Sequence, residues 1–344
     1  MIAFLILGLK NTNGINMFNN KTIMITGGTG SFGKHFINYI LKKYKTKKII
    51  IYSRDEMKQW NLSLELKNNP LLKFIIGDVR DKESLIRASV DVDYLVHAAA
   101  TKIVPTAELN PFECIKTNII GAMNVIEACN YNKVKKVVAL STDKASSPIN
   151  LYGATKLASD KLFVSANANL NKGTIFSIVR YGNVMGSRGS VIPFFYNQVK
   201  KNKTITITDK EMTRFMISLE EAVKLVLDAF KTSYGGEIYI KKIPSMNIVD
   251  IAKSVSNNAK IKYIGIRPGE KIHEQMIGKE DSPFTYEYKE YFKILPSIYN
   301  LYKDTKRIGK GIKVKKDFYY SSEHNLDWMT KSQLKKWIKN NLIE

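Results

Sequence analysis

Residues 22–33 read Thr-Ile-Met-Ile-Thr-Gly-Gly-Thr-Gly-Ser-Phe-Gly, a short apolar run followed by a glycine-rich loop. The apolar run predicts a buried strand, and residues 31–44 predict a helix. Glycines at 27, 30 and 33 let the backbone turn tightly and bring a pyrophosphate up to the free N–H groups of the helix N-terminus. This spacing differs from Gly-x-Gly-x-x-Gly, and a plain tight turn is the alternative. The strand–loop–helix context favours a dinucleotide-binding loop.

Working outward from this loop, short apolar runs alternate with helical patterns through the first half of the chain. Alternation of this kind predicts a parallel sheet covered by helices on both faces. We therefore predict an α/β fold with a doubly wound, Rossmann-type sheet, whose ligands bind at the carboxyl ends of the strands. The further strands are predicted at 48–52, 72–76, 94–97, 137–140 and 175–179, and a long helix at 118–131.

The pattern loosens after about residue 183. We predict an N-terminal extension at 1–16, a dinucleotide-binding Rossmann domain at 17–182, and a smaller part at 183–344 that mostly binds substrate and partly returns to the first domain. Within this last part, strands are predicted at 205–208, 237–241 and 261–266, and helices at 219–231, 247–256 and 330–341, the last with Leu334 and Trp337 facing inward.

Composition excludes several classes of protein. Two cysteines and four scattered histidines give neither a disulfide framework nor a metal-ligand spacing, so we predict no metal. The net charge of +23 is spread along the chain as lysines, which is typical of a solvated surface, and we predict no nucleic-acid binding. The apolar start at 1–9 is shorter than the roughly 20 residues that a spanning helix needs. We predict no membrane span and a cytoplasmic protein.

The predicted second strand ends at Ser53-Arg54-Asp55, with Lys58 close behind. A lone acidic residue at this position favours a free ribose hydroxyl and NAD, whereas a nearby arginine accommodates a 2′-phosphate. Ser53, Arg54 and Lys58 together favour NADP, and an ordinary charged helix start is the alternative. Asp78, before Val79, follows the third strand and could accept a hydrogen bond from the adenine amine. Small side chains at 98–100 follow the fourth strand and allow close approach of the cofactor.

Tyr152 and Lys156 lie four residues apart, so they share one face of a predicted helix. A lysine ammonium close to a tyrosine hydroxyl lowers the pKa of the phenol. A phenolate near neutrality can take a proton from a substrate alcohol while a hydride leaves the same carbon. Tyr-x-x-x-Lys is common by chance, but after a glycine loop at this distance it indicates such an oxidation.

Thr142, Asp143 and Lys144 come where the predicted fifth strand ends. Thr142 can hydrogen-bond the reacting oxygen, and a protonated Asp143 can donate to a leaving hydroxyl. Lys144 can remove a proton from the carbon beside a carbonyl if its pKa is lowered. Both shifts require burial or neighbouring charges. A capping aspartate and a solvated lysine are the alternative.

These residues resemble the extended short-chain dehydrogenase/reductase superfamily, and within it the family of soluble, configuration-inverting UDP-N-acetylglucosamine 4,6-dehydratases that begin pseudaminic acid biosynthesis. The resemblance covers about residues 17–344, and Asp143-Lys144 is its discriminating pair. Retaining dehydratases carry Asp-Glu there, and simple 4-epimerases lack the pair. The motifs that carry it are 26–33, 53–56, 98–102, 142–144, Tyr152 with Lys156, 180–184 and 267–271.

The resemblance implies a redox-neutral cycle on UDP-N-acetylglucosamine. Tyr152 would deprotonate the 4-hydroxyl as hydride passes from C4 to NADP, Lys144 would remove the C5 proton, and Asp143 would protonate the departing 6-hydroxyl. Hydride would return to C6 and a proton to C5 from the opposite face. The cofactor would stay tightly bound, since each cycle regenerates it, and the protein would be a homo-oligomer.

The resemblance also implies binding roles. Lys102 would contact both cofactor and sugar, Asn183 would hold the diphosphate or sugar, Arg214 and Arg267 would pair with phosphates, and Glu270 would accept from ribose or uracil. A structural salt bridge is the alternative for each of these. The predicted cofactor contacts are Gly27, Thr29, Gly30, Ser31, Phe32, Gly33, Ser53, Arg54, Asp55, Lys58, Asp78, Val79, Ala98, Ala99, Lys102, Tyr152 and Lys156.

Three other functions stay open at this point. One is a retaining sugar-nucleotide 4,6-dehydratase or a UDP-sugar 4-epimerase on the same fold. Another is a non-catalytic nucleotide-sensing protein, in which the tyrosine or lysine is commonly lost. The last is nucleic-acid binding through the positive charge, for which the chain carries no recognition motif.

Overall fold

The apolar runs of the first half form neighbouring parallel strands in the computed structural model, which describes residues 16–167 and 173–341. The strands follow the order β3-β2-β1-β4-β5-β6, and every neighbouring pair is parallel. This order confirms the doubly wound sheet. In chain order the strands are β1 (Thr22–Thr26), β2 (Lys48–Ser53), β3 (Leu72–Ile76), β4 (Tyr94–His97), β5 (Lys136–Thr142) and β6 (Ile175–Tyr181).

Helices connect these strands, and polar side chains fix several of the helix starts. Asn150 accepts from the Gly153 N–H at 2.7 Å, which caps the helix that carries Tyr152. The helix predicted at 118–131 starts inside a π-helical turn, Lys116–Ile120, that runs into it. The helices are α1 (Ser31–Lys43), α2 (Glu56–Glu65), α3 (Lys82–Ala88), α4 (Val104–Leu109), α5 (Pro111–Ile115), α6 (Gly121–Tyr131) and α7 (Leu151–Ser165).

The second half supplies shorter elements. Its strands are β7 (Asn183–Val184), β8 (Thr204–Ile207), β9 (Thr213–Ile217), β10 (Ile238–Lys241), β11 (Ser245–Asn247), β12 (Lys260–Tyr263), β13 (Gln275–Ile277), β14 (Thr285–Glu287), β15 (Tyr291–Ile294), β16 (Ile312–Lys313) and β17 (Tyr320–Ser321). Its helices are α8 (Val191–Asn202), α9 (Leu219–Thr232), α10 (Ile248–Val255), α11 (Thr305–Ile308) and α12 (Lys331–Asn341).

Part of the second half extends the main sheet. Strand β10 pairs in parallel with β6, and β15, β14 and β16 then continue the sheet in antiparallel pairs. The antiparallel edge was not predicted, because its strands are only two to four residues long and carry no clear alternation. The main sheet is therefore mostly parallel rather than wholly so.

Two large apolar cores and a minor cluster of Ala107, Cys114 and Tyr152 lie within the described ranges. The larger surrounds the main sheet and includes Phe18, which is fully buried just after the predicted extension. The smaller joins α8, α10 and α12. There Leu334 is buried as predicted, but Ile338 takes the second inward position and Trp337 is only partly buried. The extension at 1–16 lies, except for residue 16, outside the described residues, and the division at residue 183 stays a prediction.

No helix within 16–167 or 173–341 is long and apolar enough to cross a membrane. A large cavity lies between the carboxyl ends of the parallel strands and the elements of the second half.

Candidate active site

This cavity has a volume of about 820 Å³, within the range typical of ligand pockets. Every residue that the sequence predicts for the site lines it, from the glycine loop to Glu270. Parallel strands end at one edge of the sheet, which is why residues far apart in the chain meet here. The positions therefore agree with the predicted site, and the individual roles stay predictions.

Two glycines of the loop, Gly27 and Gly33, leave no space for a side chain. Gly27 has a φ of +68°, and a Cβ there would lie 2.9 Å from the Ala99 Cα. A Cβ on Gly33 would overlap the Gly28 carbonyl. Helix α1 begins after Gly30 without a side-chain cap, so its N–H groups face the cavity side of the loop. A close backbone cradle at an uncapped helix start fits the pyrophosphate of a dinucleotide.

The end of β2 carries the residues predicted to select the cofactor. Ser53 Oγ accepts hydrogen bonds from Thr29 Oγ1 at 3.4 Å and from Gln59 Nε2 at 3.0 Å. Asp55 caps α2 and pairs with the Lys58 ammonium, so these two charges satisfy each other. The Arg54 side chain is 59% exposed and retains free donors toward the cavity. Arg54 stays the predicted contact for a 2′-phosphate.

Asp78 has more hydrogen-bond and ion-pair partners than the sequence predicts. Arg80 donates to both its oxygens, from N at 3.0 Å and Nε at 2.9 Å, and Arg54 lies 3.6 Å away. Burial acts to raise the pKa of Asp78, but these hydrogen bonds and charges outweigh it and hold the pKa below its ordinary value. A bond from Asp78 to an adenine would have to share an oxygen with Arg80, a residue that sequence reasoning missed.

Beneath the glycine loop, His97 is buried with its Nδ1 2.9 Å from Thr26 Oγ1. Burial, helped by the nearby Lys156 charge, lowers the pKa of His97 to about 3. The imidazole is therefore neutral at physiological pH. It supports the loop from below rather than exchanging protons in the cavity.

Tyr152 and Lys156 are both buried and face the cavity from α7. The predicted lowering of the Tyr152 pKa by Lys156 is wrong. Burial raises the pKa of Tyr152 to about 12, and the groups that oppose this rise are Lys144 and the Thr142 hydroxyl. Lys156 is itself held below its ordinary pKa by burial, with the Asp160 carboxylate opposing that shift. The phenol is protonated at neutral pH in the protein alone.

Asp143 and Lys144 lie in a single turn directly after β5. Asp143 Oδ1 accepts from Thr142 Oγ1 at 2.9 Å and from Lys144 Nζ at 3.2 Å. Burial raises the pKa of Asp143, although the Lys144 charge opposes it. This direction agrees with the predicted need for a protonated acid.

The lowered pKa that Lys144 would need to act as a base is not found in the protein alone. Burial acts in that direction, but the carboxylates of Asp143 and Glu274 outweigh it and raise the pKa above its ordinary value. Glu274 Oε1 lies 2.7 Å from Lys144 Nζ, and the glutamate is 2% exposed. Sequence reasoning missed Glu274, because nothing in its local spacing indicates contact with a residue 130 positions earlier.

Two predicted substrate residues already have partners. Arg214 is buried and donates to the carbonyls of Thr213, Ile272 and Lys271 at 2.7–2.9 Å, which favours the structural alternative for its guanidinium. Arg267 pairs with Glu270 through Nη2 and Oε1 at 2.9 Å, with Arg267 56% exposed.

The remaining predicted contacts lie near the dinucleotide loop. Asn183 is partly buried on β7. Lys102 Nζ donates to the Arg188 carbonyl at 3.0 Å, and the Arg188 N–H donates to Ser31 Oγ at 3.1 Å. These bonds tie the loop after β7 to the start of α1. Arg188, which the sequence reasoning did not single out, therefore borders the site.

Sequence comparisons identify a family and several relatives of this chain. The polysaccharide biosynthesis protein family matches residues 23–296. A UDP-N-acetylglucosamine 4,6-dehydratase (inverting) of Campylobacter jejuni subsp. jejuni serotype O:2 is 57% identical over 92% of this chain and 97% of its own length. A UDP-glucose 4-epimerase of Rickettsia bellii is 48% identical over 81% of this chain and 84% of its own length.

Solved structures show the same architecture. Pen from Bacillus thuringiensis superposes with a TM-score of 0.86 and 38% identity, covering 94% of this chain and 98% of that one. The dTDP-glucose 4,6-dehydratase DesIV from Streptomyces venezuelae, solved with NAD and TYD, has a TM-score of 0.68 at 21% identity over 73% of this chain and 86% of that one, and so shows the fold alone. The chain belongs to the polysaccharide biosynthesis protein family, whose model matches most of its length.

Proposed function

We propose that this chain is a UDP-N-acetylglucosamine 4,6-dehydratase that inverts C5 and uses NADP. The observation that carries the proposal is the acid–amine pair of Asp143 and Lys144 in one cavity with Tyr152. The 57% identity to an inverting dehydratase of this substrate supports it. The reaction is a hydro-lyase reaction without net oxidation.

The residues that would hold the cofactor are those of the glycine loop, with Arg54 at the 2′-phosphate. When bound, NADP supplies the acceptor for the C4 hydride and the donor for C6. The tight backbone cradle at Gly27 and Gly33 supports a dinucleotide, and the free donors of Arg54 support the phosphorylated form over NAD.

Tyr152 takes the proton of the 4-hydroxyl, and Thr142 orients the same oxygen. The raised pKa of Tyr152 makes the phenol a strong base once ionised, and the Lys144 charge favours that ionisation. The resulting C4 ketone makes the C5 proton acidic. Lys144 removes this proton as a neutral amine, and Asp143 donates its proton to the departing 6-hydroxyl.

A UDP-sugar 4-epimerase is the second candidate, because the Rickettsia bellii relative named as one is 48% identical. Epimerisation needs the tyrosine and the hydride transfer but neither the acid nor the amine. The burial of Asp143 beside Lys144, at a distance of 3.2 Å, gives an epimerase no advantage and costs desolvation of both charges. This arrangement favours dehydration.

The test is incubation of the purified full chain with UDP-N-acetylglucosamine and mass analysis of the product. We expect a product lighter than the substrate by one water. An epimer has the mass of the substrate, so an unchanged mass with a new anomeric NMR signal would establish the second candidate. Lys144→Ala serves as the matched control and is expected to give no lighter product.

Four narrower points belong to the same proposal. The cofactor released from the denatured protein is expected to be NADP rather than NAD, by mass. The product enters a pseudaminic acid-type surface-sugar pathway, and the protein works in the cytoplasm. It forms a homo-oligomer, which the exposed apolar side chains of Leu109 and Phe112, 82% and 76% exposed, support.

A further inference from the structure

Glu274 reaches the active site from a distant part of the chain and is held there firmly. Its backbone N–H donates to Ser322 Oγ at 2.9 Å, and its carbonyl accepts from the Ser322 N–H at 2.8 Å. These bonds anchor the start of β13 to the residue after β17. The side chain is 2% exposed, so it points into the protein rather than into solvent. A carboxylate placed this deeply requires a partner.

That partner is Lys144. The ammonium lies between two carboxylates, 2.7 Å from Glu274 Oε1 and 3.2 Å from Asp143 Oδ1. The Lys144 side chain is 24% exposed, whereas Asp143 is 1% and Glu274 2% exposed, and all three residues line the cavity. Glu274 therefore contacts the proposed C5 base directly, at the wall of the same cavity.

Each acid of this cluster has one oxygen that can carry a proton. Asp143 Oδ2 and Glu274 Oε2 are buried and have no hydrogen-bond partner among the described residues. Two buried carboxylates face the one ammonium of Lys144. The Arg214 guanidinium is farther away, with its Nε 4.0 Å from Glu274, and its terminal nitrogens donate to backbone carbonyls. Burial raises the pKa of Asp143, whereas burial of Glu274 is outweighed by the charges of Lys144 and Arg214, which hold its pKa below the ordinary value. Asp143 therefore keeps the proton, and Glu274 is the ionised acid beside the ammonium.

We propose that Glu274 is a positioning residue that accepts the ammonium proton of Lys144 and so makes its amine available to C5. In this step an N–H bond of Lys144 breaks, its electron pair stays on nitrogen, and an O–H bond forms on Glu274. The amine then takes the C5 proton, and the C–H electron pair moves toward the C4 carbonyl. This inference rests on the proposed function.

The proton count of this cluster closes over the elimination, and the proton that later returns to C5 is balanced by the one released from the 4-hydroxyl. Asp143 loses its proton to the departing hydroxyl, which leaves as water, and Lys144 gains one proton from C5. The proton stored on Glu274 can then pass through Lys144 to Asp143, which restores the starting state. No outside acid is required for the elimination. The charged and titratable groups that face this cluster are Asp143, Lys144, Tyr152, Arg180, Arg214, Lys271 and Glu274.

The experiment that tests this proton relay from Lys144 to Glu274 compares Glu274→Gln with the wild type in D₂O. The amide keeps the size of the side chain and an oxygen for Lys144 but accepts no proton. We expect the exchange of deuterium into C5 and the release of dehydrated product to fall by about 100-fold or more at every pH. Reduction of the bound cofactor on mixing with substrate should be unchanged, because that step uses Tyr152.

A purely electrostatic role predicts the opposite behaviour. Removing the Glu274 charge would lower the pKa of Lys144, because Glu274 acts to raise it. C5 exchange in Glu274→Gln would then be faster at neutral pH, with its acid limb moved to lower pH. Faster exchange, or exchange equal to that of the wild type, would overturn the relay. Glu280→Gln, at an exposed carboxylate six residues on, is the control and should match the wild type.

If Glu274→Gln does not fold, Glu274→Asp provides a second test of proton transfer. The shorter acid can still accept a proton, so we expect at least about a tenth of the wild-type exchange rate, with an unchanged pH profile. A rate as low as that of Lys144→Ala in a folded Glu274→Asp protein would count against proton transfer. If the wild type itself releases no dehydrated product, the proposed function fails, and the relay with it. If the wild type is active and Glu274→Gln equals it, the relay alone fails.

Discussion

Arg180 and Asp160 form a buried ion pair, with Nη2 3.2 Å from Oδ2 and both side chains 3% exposed. Asp160 Oδ2 also accepts from Ser141 Oγ at 2.8 Å, and Arg180 Nη1 donates to the Met276 carbonyl at 2.8 Å. The pair thus joins the strand before Asp143 and the helix of Tyr152 to the segment that carries Glu274. It holds the two halves of the proposed active site together.

We expect Asp160→Asn to lower the free energy of unfolding by about 3 kcal/mol, because it removes the buried counter-charge nearest to Arg180 and leaves only Asp281, at 3.9 Å. Urea denaturation followed by circular dichroism measures this difference. Asp317→Asn, at an exposed carboxylate, is the control and should change the unfolding free energy little. Equal midpoints for Asp160→Asn and the wild type would show that the pair contributes nothing to stability.

His97 makes the protein less stable in acid. Its pKa is 6.5 when unfolded and about 3 when folded, so below pH 6.5 the unfolded state binds the extra proton. Its contribution to the unfolding free energy therefore decreases as pH falls from 6.5 toward 3, at up to about 1.4 kcal/mol per pH unit. Denaturation of the wild type and of His97→Asn at several pH values measures the slope. Parallel slopes for the two proteins would contradict the assignment.

Arg54 is expected to set the preference for NADP. Arg54→Ala removes the charge-assisted hydrogen bonding to the 2′-phosphate, worth about 2 kcal/mol in total, so the affinity for NADP should fall by about 30-fold. The affinity for NAD, which lacks that phosphate, should hardly change. Calorimetric titration of the cofactor-free protein with both dinucleotides measures the ratio. A parallel loss for both would show that Arg54 acts on the fold of the loop instead.

Tyr152 is expected to control the first oxidation. Tyr152→Phe should slow reduction of the bound cofactor by about 10²- to 10⁴-fold, which stopped-flow absorbance measures after mixing with UDP-N-acetylglucosamine. Because burial raises the pKa of the phenol to about 12, the wild-type rate should rise with pH through the neutral range. The phenylalanine variant should lose this dependence. A wild-type rate independent of pH would mean that another group takes the proton.

Much of the fold follows from the sequence because its signals are local. The six parallel strands at 22–181 are continuous apolar runs, and each was located to within about two residues. The antiparallel strands at 285–294 lack such a signal, since they are short and gain their stability from pairing with β10. The π-helical turn at 116–120 was missed as well, because the residue pattern is that of an ordinary helix.

The sequence predicts which residues meet at the site, but not the directions in which their pKa values shift. Strand ends converge in a doubly wound sheet, so the positions of Asp143, Lys144 and Tyr152 could be inferred. The pKa of Lys144 is raised rather than lowered because the carboxylates of Asp143 and Glu274 together outweigh burial, and Glu274 approaches only through the tertiary fold. The carbonyls that occupy Arg214 likewise come from residues 213 and 271–272, and their approach has no signature in sequence.

The central claim is that Lys144 exchanges the C5 proton while Asp143 assists the loss of the 6-hydroxyl. The most direct measurement is NMR of the product formed from UDP-N-acetylglucosamine in D₂O. We expect a 4-keto-6-deoxy sugar with inverted C5, one deuterium at C5, and a methyl group that carries the hydrogen originally at C4. A product that keeps the configuration at C5, or that contains no deuterium there, would contradict the account.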